Sequence, residues 1–166
     1  MPSPLLKQLQ GIPMCDGLSP ANIEELVAIS EEKAVKKGGT LFREGEPGDV
    51  LLVVLEGKVE VTKREATLAT LEAGSVLGEM SLLGGDTRSA TAAAATDVKY
   101  LAIPHGPFQK LLGKDNIAAL KVVHNLAQVM SKRLALINEK LVDSLGKTKK
   151  KEELADFGRI LNRWSF

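Results

Sequence analysis

Between positions 34 and 104 the apolar residues come in runs too short for a packed helix, and glycine closes each run, at Gly38-Gly39, Gly45, Gly48, Gly57, Gly74 and Gly84-Gly85. Glycine supplies the positive φ that tight turns require, so short apolar runs between such punctuation predict a β domain with frequent turns. Val59 and Val61, and the alternation Thr67-Leu68-Ala69-Thr70-Leu71, predict half-buried strands. Residues 90–95 predict a strand built almost entirely of small side chains. Such a strand either leaves room inside a barrel for a bound molecule or packs tightly against another element, and both readings stand at this point.

On either side the apolar period becomes helical. Ser19 is suited to cap a helix and Pro20 to open its first turn, with Ile23, Leu26, Val27 and Ile29 following at helical spacing. After Pro104 a short helix is predicted around 107–112 and a long one from about 115 to 145. Within the long one, Leu120, Val123, Ala127, Met130, Leu134, Ile137 and Leu141 recur alternately three and four residues apart, the spacing of a coiled-coil seam. That seam either packs onto the protein's own barrel or pairs two copies, and a homodimer through this helix is the expectation. Residues 146–166 read as an appendage to a domain of residues 1–145. A basic linker around Lys147, Lys149, Lys150 and Lys151 leads to an amphipathic tail helix with Leu154, Phe157, Leu161 and Trp164 on one face. The tail is read as a lid on the domain, a docking element for a partner, or a cap on the core.

Bulk properties narrow the function classes. A chain of 166 residues is ample for one core without metal or disulfide support, and its single cysteine, Cys15, allows neither an intrachain disulfide nor a cysteine metal cluster. A net charge of +1 gives no electrostatic footprint for nucleic acid. No stretch approaches the length of a membrane helix, so a cytoplasmic protein without membrane association is expected. His105 and His124 neighbour no nucleophile arrangement, and no ligand spacing for a metal is visible, so neither catalysis nor a metal is expected.

The chemistry concentrates between positions 74 and 91. Gly78 allows close approach to a ligand, Glu79 follows it, and Met80 and Ser81 open an apolar helical turn whose unpaired N–H groups suit an anion. Arg88 supplies a planar guanidinium able to give a phosphodiester two parallel charge-assisted hydrogen bonds, and Ser89 adds a hydroxyl. Glu79 has the wrong sign for phosphate and makes sense as an acceptor for a sugar hydroxyl. Taken singly, these glycines are also ordinary turn residues and Glu79 with Arg88 an ordinary ion pair.

At these residues the chain resembles the cyclic-nucleotide-binding domain family, whose phosphate cassette reads Gly-Glu, several apolar and small residues, then Arg and Ser, Thr or Ala. Two further segments carry the resemblance: Leu41-Phe42-Arg43-Glu44-Gly45-Glu46-Pro47-Gly48-Asp49, and the hairpin signature Val53-Val54-Leu55-Glu56-Gly57-Lys58-Val59-Glu60-Val61. It implies an α+β fold, an antiparallel β-roll or jelly-roll-like barrel with an N-terminal helix and C-terminal helices that include a long one. It also implies a sensor for cyclic AMP or cyclic GMP, with Gly78, Glu79, Met80, Ser81, Arg88 and Ser89 at the phosphate and ribose. In the bacterial activator branch the long helix offers polar groups to the purine, often a hydroxyl pair. Here those positions hold Ile137 and Asn138, so edge reading of the base falls to Asn138, which is equally suited to be a solvated helix residue. Arg133, one turn before Ile137, is placed to lean over the site or to pair with an acid, and a surface role is the favoured reading. Ser89 is compatible with cyclic AMP, the favoured ligand, although a hydroxyl there also suits guanine. Activators of the family continue into a helix-turn-helix domain that about twenty further residues cannot supply, so no DNA binding by this chain alone is expected. An unidentified downstream protein is the expected receiver of the signal. The competing reading is a degenerate, ligand-free interaction module of the same fold.

Overall fold

A computed structural model describes residues 4–80 and 87–148, with side chains described as far as 144. The chain divides into two units between Leu126 and Ala127. The first opens with α1 (Pro4–Gln10), a 3-10 turn (Pro13–Cys15) and α2 (Pro20–Ala28). Ser19 caps α2 as its sequence predicts: its hydroxyl accepts from Asn22 N–H at 3.2 Å while Asn22 Oδ1 accepts from Ser19 N–H at 3.3 Å. This is a reciprocal capping box closed by Asn rather than Glu or Gln, with Pro20 in the first turn. Helix α1 and the 3-10 turn precede the helix that the apolar period announces.

Among the described residues, eight antiparallel strands follow: β1 (Glu31–Val35), β2 (Thr40–Phe42), β3 (Val50–Glu56), β4 (Lys58–Lys63), β5 (Ala66–Glu72), β6 (Val76–Leu77), β7 (Thr91–Ala94) and β8 (Val98–Pro104). They form two four-stranded sheets, ordered β1-β8-β3-β6 and β2-β7-β4-β5. The result is the α+β β-roll expected, completed by α3 (His105–Leu112) and α4 (Ile117–Thr148).

Strand β3 explains why the core has two layers. Its run Val50-Leu51-Leu52-Val53-Val54-Leu55 is apolar at every position because both faces are covered. Leu51, Val53 and Leu55 join Leu6, Leu9, Met14, Ile23, Leu26 and Phe108 in a helix-facing core. Leu52 and Val54 join Val59, Leu77, Ala92, Ala94, Val98 and Ala102 between the sheets. The small residues of β7 therefore pack in the inter-sheet core, Ala92 and Ala94 both buried.

Asn116 caps α4, its Oδ1 accepting from Ala119 N–H at 3.0 Å. The first turns of α4 place Ala118, Ala119, Val122 and Leu126 in the helix-facing core. Between them, the buried amide of Asn125 donates to both Met14 O and Asp16 O at 2.9 Å, which fixes the 3-10 turn. Lys121 Nζ adds a bond to Gly17 O at 2.7 Å. In the second unit Leu134, Leu136, Ile137 and Val142 are exposed. The tail from 149 onward, with Trp164, lies outside the described residues.

Candidate functional site

Arg88 organises the site, and the local fold leaves its backbone no latitude. Its N–H donates to Glu46 O at 2.8 Å and its carbonyl accepts from Gly45 N–H at 2.9 Å, while Pro47 and Thr87 form a β-bridge alongside. Gly45, at φ +83°, lets the β2–β3 turn fold back far enough to make these bonds. In the same turn Glu46 accepts from Arg43 N–H at 2.9 Å.

The side chain of Arg88 runs inward, leaving the residue 6% exposed. Its Nη2 donates to Val50 O at 2.8 Å, and Cζ lies 4.3 Å from the centroid of the Phe42 ring. Burial pulls the guanidinium pKa down, and the carboxylates of Asp49, Glu46 and, last, Glu79 pull it back up. A buried cation is tolerated only where such groups compensate its lost hydration, and here a carbonyl, an aromatic face and three carboxylates do so.

Gly78 sits against this guanidinium at φ +79°, and a Cβ there would fall 2.1 Å from Arg88 Nη1 and 2.9 Å from Val50 O. The absent side chain is thus the space that the guanidinium occupies. Glu79 and Met80 open a helical turn directly after it; Glu79 is half-buried and Met80 exposed. Ser89, next to Arg88, is exposed. Ser81 lies outside the described residues. Asn138 is half-buried on the part of α4 that belongs to the second unit. The structure therefore gathers Gly78, Glu79 and Arg88.

Sequence reasoning missed four contributors: Asp49, Glu46, Phe42 and the Val50 carbonyl. Phe42 and Asp49 stand in the 41–49 signature, but nothing in the spacing says that they turn toward Arg88. A cavity of about 210 Å³ is lined by both Phe42 and Arg88, with Lys33, Asp49, Tyr100 and Ala102 among its other walls. Of the described residues, Gly78, Glu79 and Ser89 do not line this cavity. Gly78 and Glu79 follow β6, at the edge of the first sheet opposite β1, and Ser89 precedes β7 of the second sheet.

Comparison with known proteins identifies the family. Residues 32–115 match the family model "Cyclic nucleotide-binding domain". The chain is 32% identical over 131 residues to the Cyclic AMP receptor protein of Thermus thermophilus, covering 76% of this chain and 59% of that protein. It is 39% identical over 94 residues to a cGMP-dependent protein kinase of Caenorhabditis briggsae, covering 57% of this chain and 13% of the kinase. Among solved structures, the N-terminal domain of a transcriptional regulator from Streptomyces coelicolor A3(2) superposes with a TM-score of 0.67 at 35% identity, covering 78% of this chain and 94% of that one.

The chain belongs to the cyclic nucleotide-binding domain family. It spans 13% of the kinase and 59% of the receptor protein. Among the described residues, no group of three or more His, Cys, Asp or Glu is placed to hold a metal ion, and no helix is long and apolar enough to cross a membrane.

Proposed function

We propose that this chain is a non-catalytic, cytoplasmic sensor that binds cyclic AMP in preference to cyclic GMP and passes the event to a partner through its C-terminal helices. The observation that carries this reading is Arg88, a buried cation pinned by backbone and ring contacts under a glycine that leaves it room. A protein that did not use this charge would gain by replacing it with an apolar residue, because burying it costs hydration. In the proposed complex Arg88 meets the phosphodiester, Glu79 accepts from the ribose hydroxyl, and Ser89 donates alongside. Gly78 gives the close approach, and Met80 and Ser81 continue the helical turn at the anion. Asn138 is assigned to the purine edge.

Relay requires that the nucleotide bind one arrangement of the helices more tightly than another, since a ligand shifts an equilibrium only by its differential affinity. The exposed seam residues Leu134 and Ile137 support pairing of two copies along α4. Calorimetric titration with both nucleotides tests the specificity: tighter binding of cyclic AMP is expected, and a tenfold preference for cyclic GMP would overturn that choice.

A further inference from the structure

We propose that Phe42 is a positioning residue for nucleotide binding: its ring fixes the plane of the Arg88 guanidinium, and a β-bulge at Leu41 aims it there. The inference rests on the reading of the site above. Thr40 pairs with Ala93, so regular antiparallel pairing would set Leu41 opposite Ala92 and Phe42 opposite Thr91; instead Phe42 pairs with Ala92. The extra residue between Thr40 and Phe42 shifts Phe42 into register with a buried inter-sheet residue, and re-aiming one side chain is what such bulges do. Directly opposite residues bring their Cβ atoms within about 5 Å, so only a small partner leaves space for a ring and a guanidinium between the sheets. Ala92 is that partner. The small-residue strand thus makes room for Phe42 and Arg88 rather than only for a ligand.

The ring does what an aliphatic side chain of similar volume does not. A guanidinium lying over an aromatic face keeps its positive charge compensated without a hydrogen bond on that side, so its donors stay directed edgewise. Val50 O holds one edge through Nη2. Phe42 holds the plane. Together they orient the fork before any phosphate arrives, which lowers the ordering cost of binding.

The test uses the whole chain with Phe42→Leu, Phe42→Tyr and Phe42→Trp variants. The cavity beside the ring gives the tyrosine hydroxyl somewhere to go. In ligand-free wild-type protein the Arg88 side-chain protons should carry an upfield ring-current shift, lost in Phe42→Leu and kept in the aromatic variants. Calorimetry with cyclic AMP should show affinity about tenfold weaker in Phe42→Leu and restored toward wild type by Tyr or Trp. If Phe42→Leu does not fold, Phe42→Met, unbranched and flexible enough to fill the space left by the ring, takes its place. Equal affinity in the wild-type and ring-less variants, or an Arg88 shift insensitive to residue 42, overturns the role of Phe42 alone. A wild-type protein that takes up neither cyclic AMP nor cyclic GMP overturns the reading of the site and this inference with it.

Discussion

Gly78→Ala is the sharpest single perturbation of the site, because one methyl group meets both the Arg88 guanidinium and the backbone carbonyl that holds it. The new Cβ would lie 2.1 Å from Arg88 Nη1 and 2.9 Å from Val50 O, at a backbone φ of +79°. The left-handed backbone alone costs an L-residue about 1 to 2 kcal/mol. The guanidinium, being the end of a flexible side chain, can swing aside, but doing so breaks its bond to Val50 O. A hydrogen bond from a charged group contributes about 1.5 to 3 kcal/mol. The sum is about 2.5 to 5 kcal/mol, which for a domain of this size lowers the melting temperature by on the order of 10 °C. Cyclic nucleotide affinity should fall at least about tenfold as the fork leaves its place. Thermal unfolding and calorimetry read both effects. In an Arg88→Leu background the same change should cost only its backbone share and the contact with Val50 O, because Nη1 is no longer there to be struck. A Gly78→Ala protein with wild-type melting temperature and affinity, or strictly additive costs in the double variant, would refute the packing argument.

Three further outcomes follow from other parts of the fold. Burial pushes the Cys15 thiol up from 9.0 to about 11. Its folded form therefore keeps a proton that the unfolded chain loses, so stability should fall by up to about 1.4 kcal/mol per pH unit between pH 9 and 11, a contribution absent in Cys15→Ala and measurable by urea titration. Asn125→Ala removes the amide that bonds both Met14 O and Asp16 O, and should cost about 2 kcal/mol by denaturant midpoint; a cost near zero would mean that water replaces the clamp. Light scattering at micromolar protein should give a dimer for the wild type and a monomer for Leu134→Glu with Ile137→Glu, and a wild-type monomer in the presence of nucleotide would end the proposal that the α4 seam pairs two copies.

The parts of this molecule legible in the sequence were those written in local chemistry. The change from glycine-punctuated runs to a three-and-four period marks where sheet gives way to helix, and Ser19-Pro20 announces α2, because caps and periods act within a few residues. Gly78, Glu79 and Arg88 were legible as a motif, and the structure brings them together. Pro13–Cys15 was not, since its short turn is held by Asn125, 111 residues away from Met14. The β4–β5 hairpin turns on Arg64 and Glu65, both at positive φ, without the Asn-Gly or Asp-Gly pair that signals such a turn. Phe42 was invisible as a site residue for a related reason: the bulge that aims it is a property of register against β7, which no spacing within β2 records. The purpose of the β7 alanines likewise appears only once Phe42 stands opposite Ala92.

The central claim is that Arg88 receives the phosphodiester of a cyclic nucleotide. Phosphorus NMR of cyclic AMP titrated with the wild-type chain and with Arg88→Gln addresses that contact at the atom concerned. The account predicts a saturable change in the phosphorus resonance with the wild type and little or none with the variant at the same protein concentration. The same saturable change with both proteins, or none with either, would contradict it.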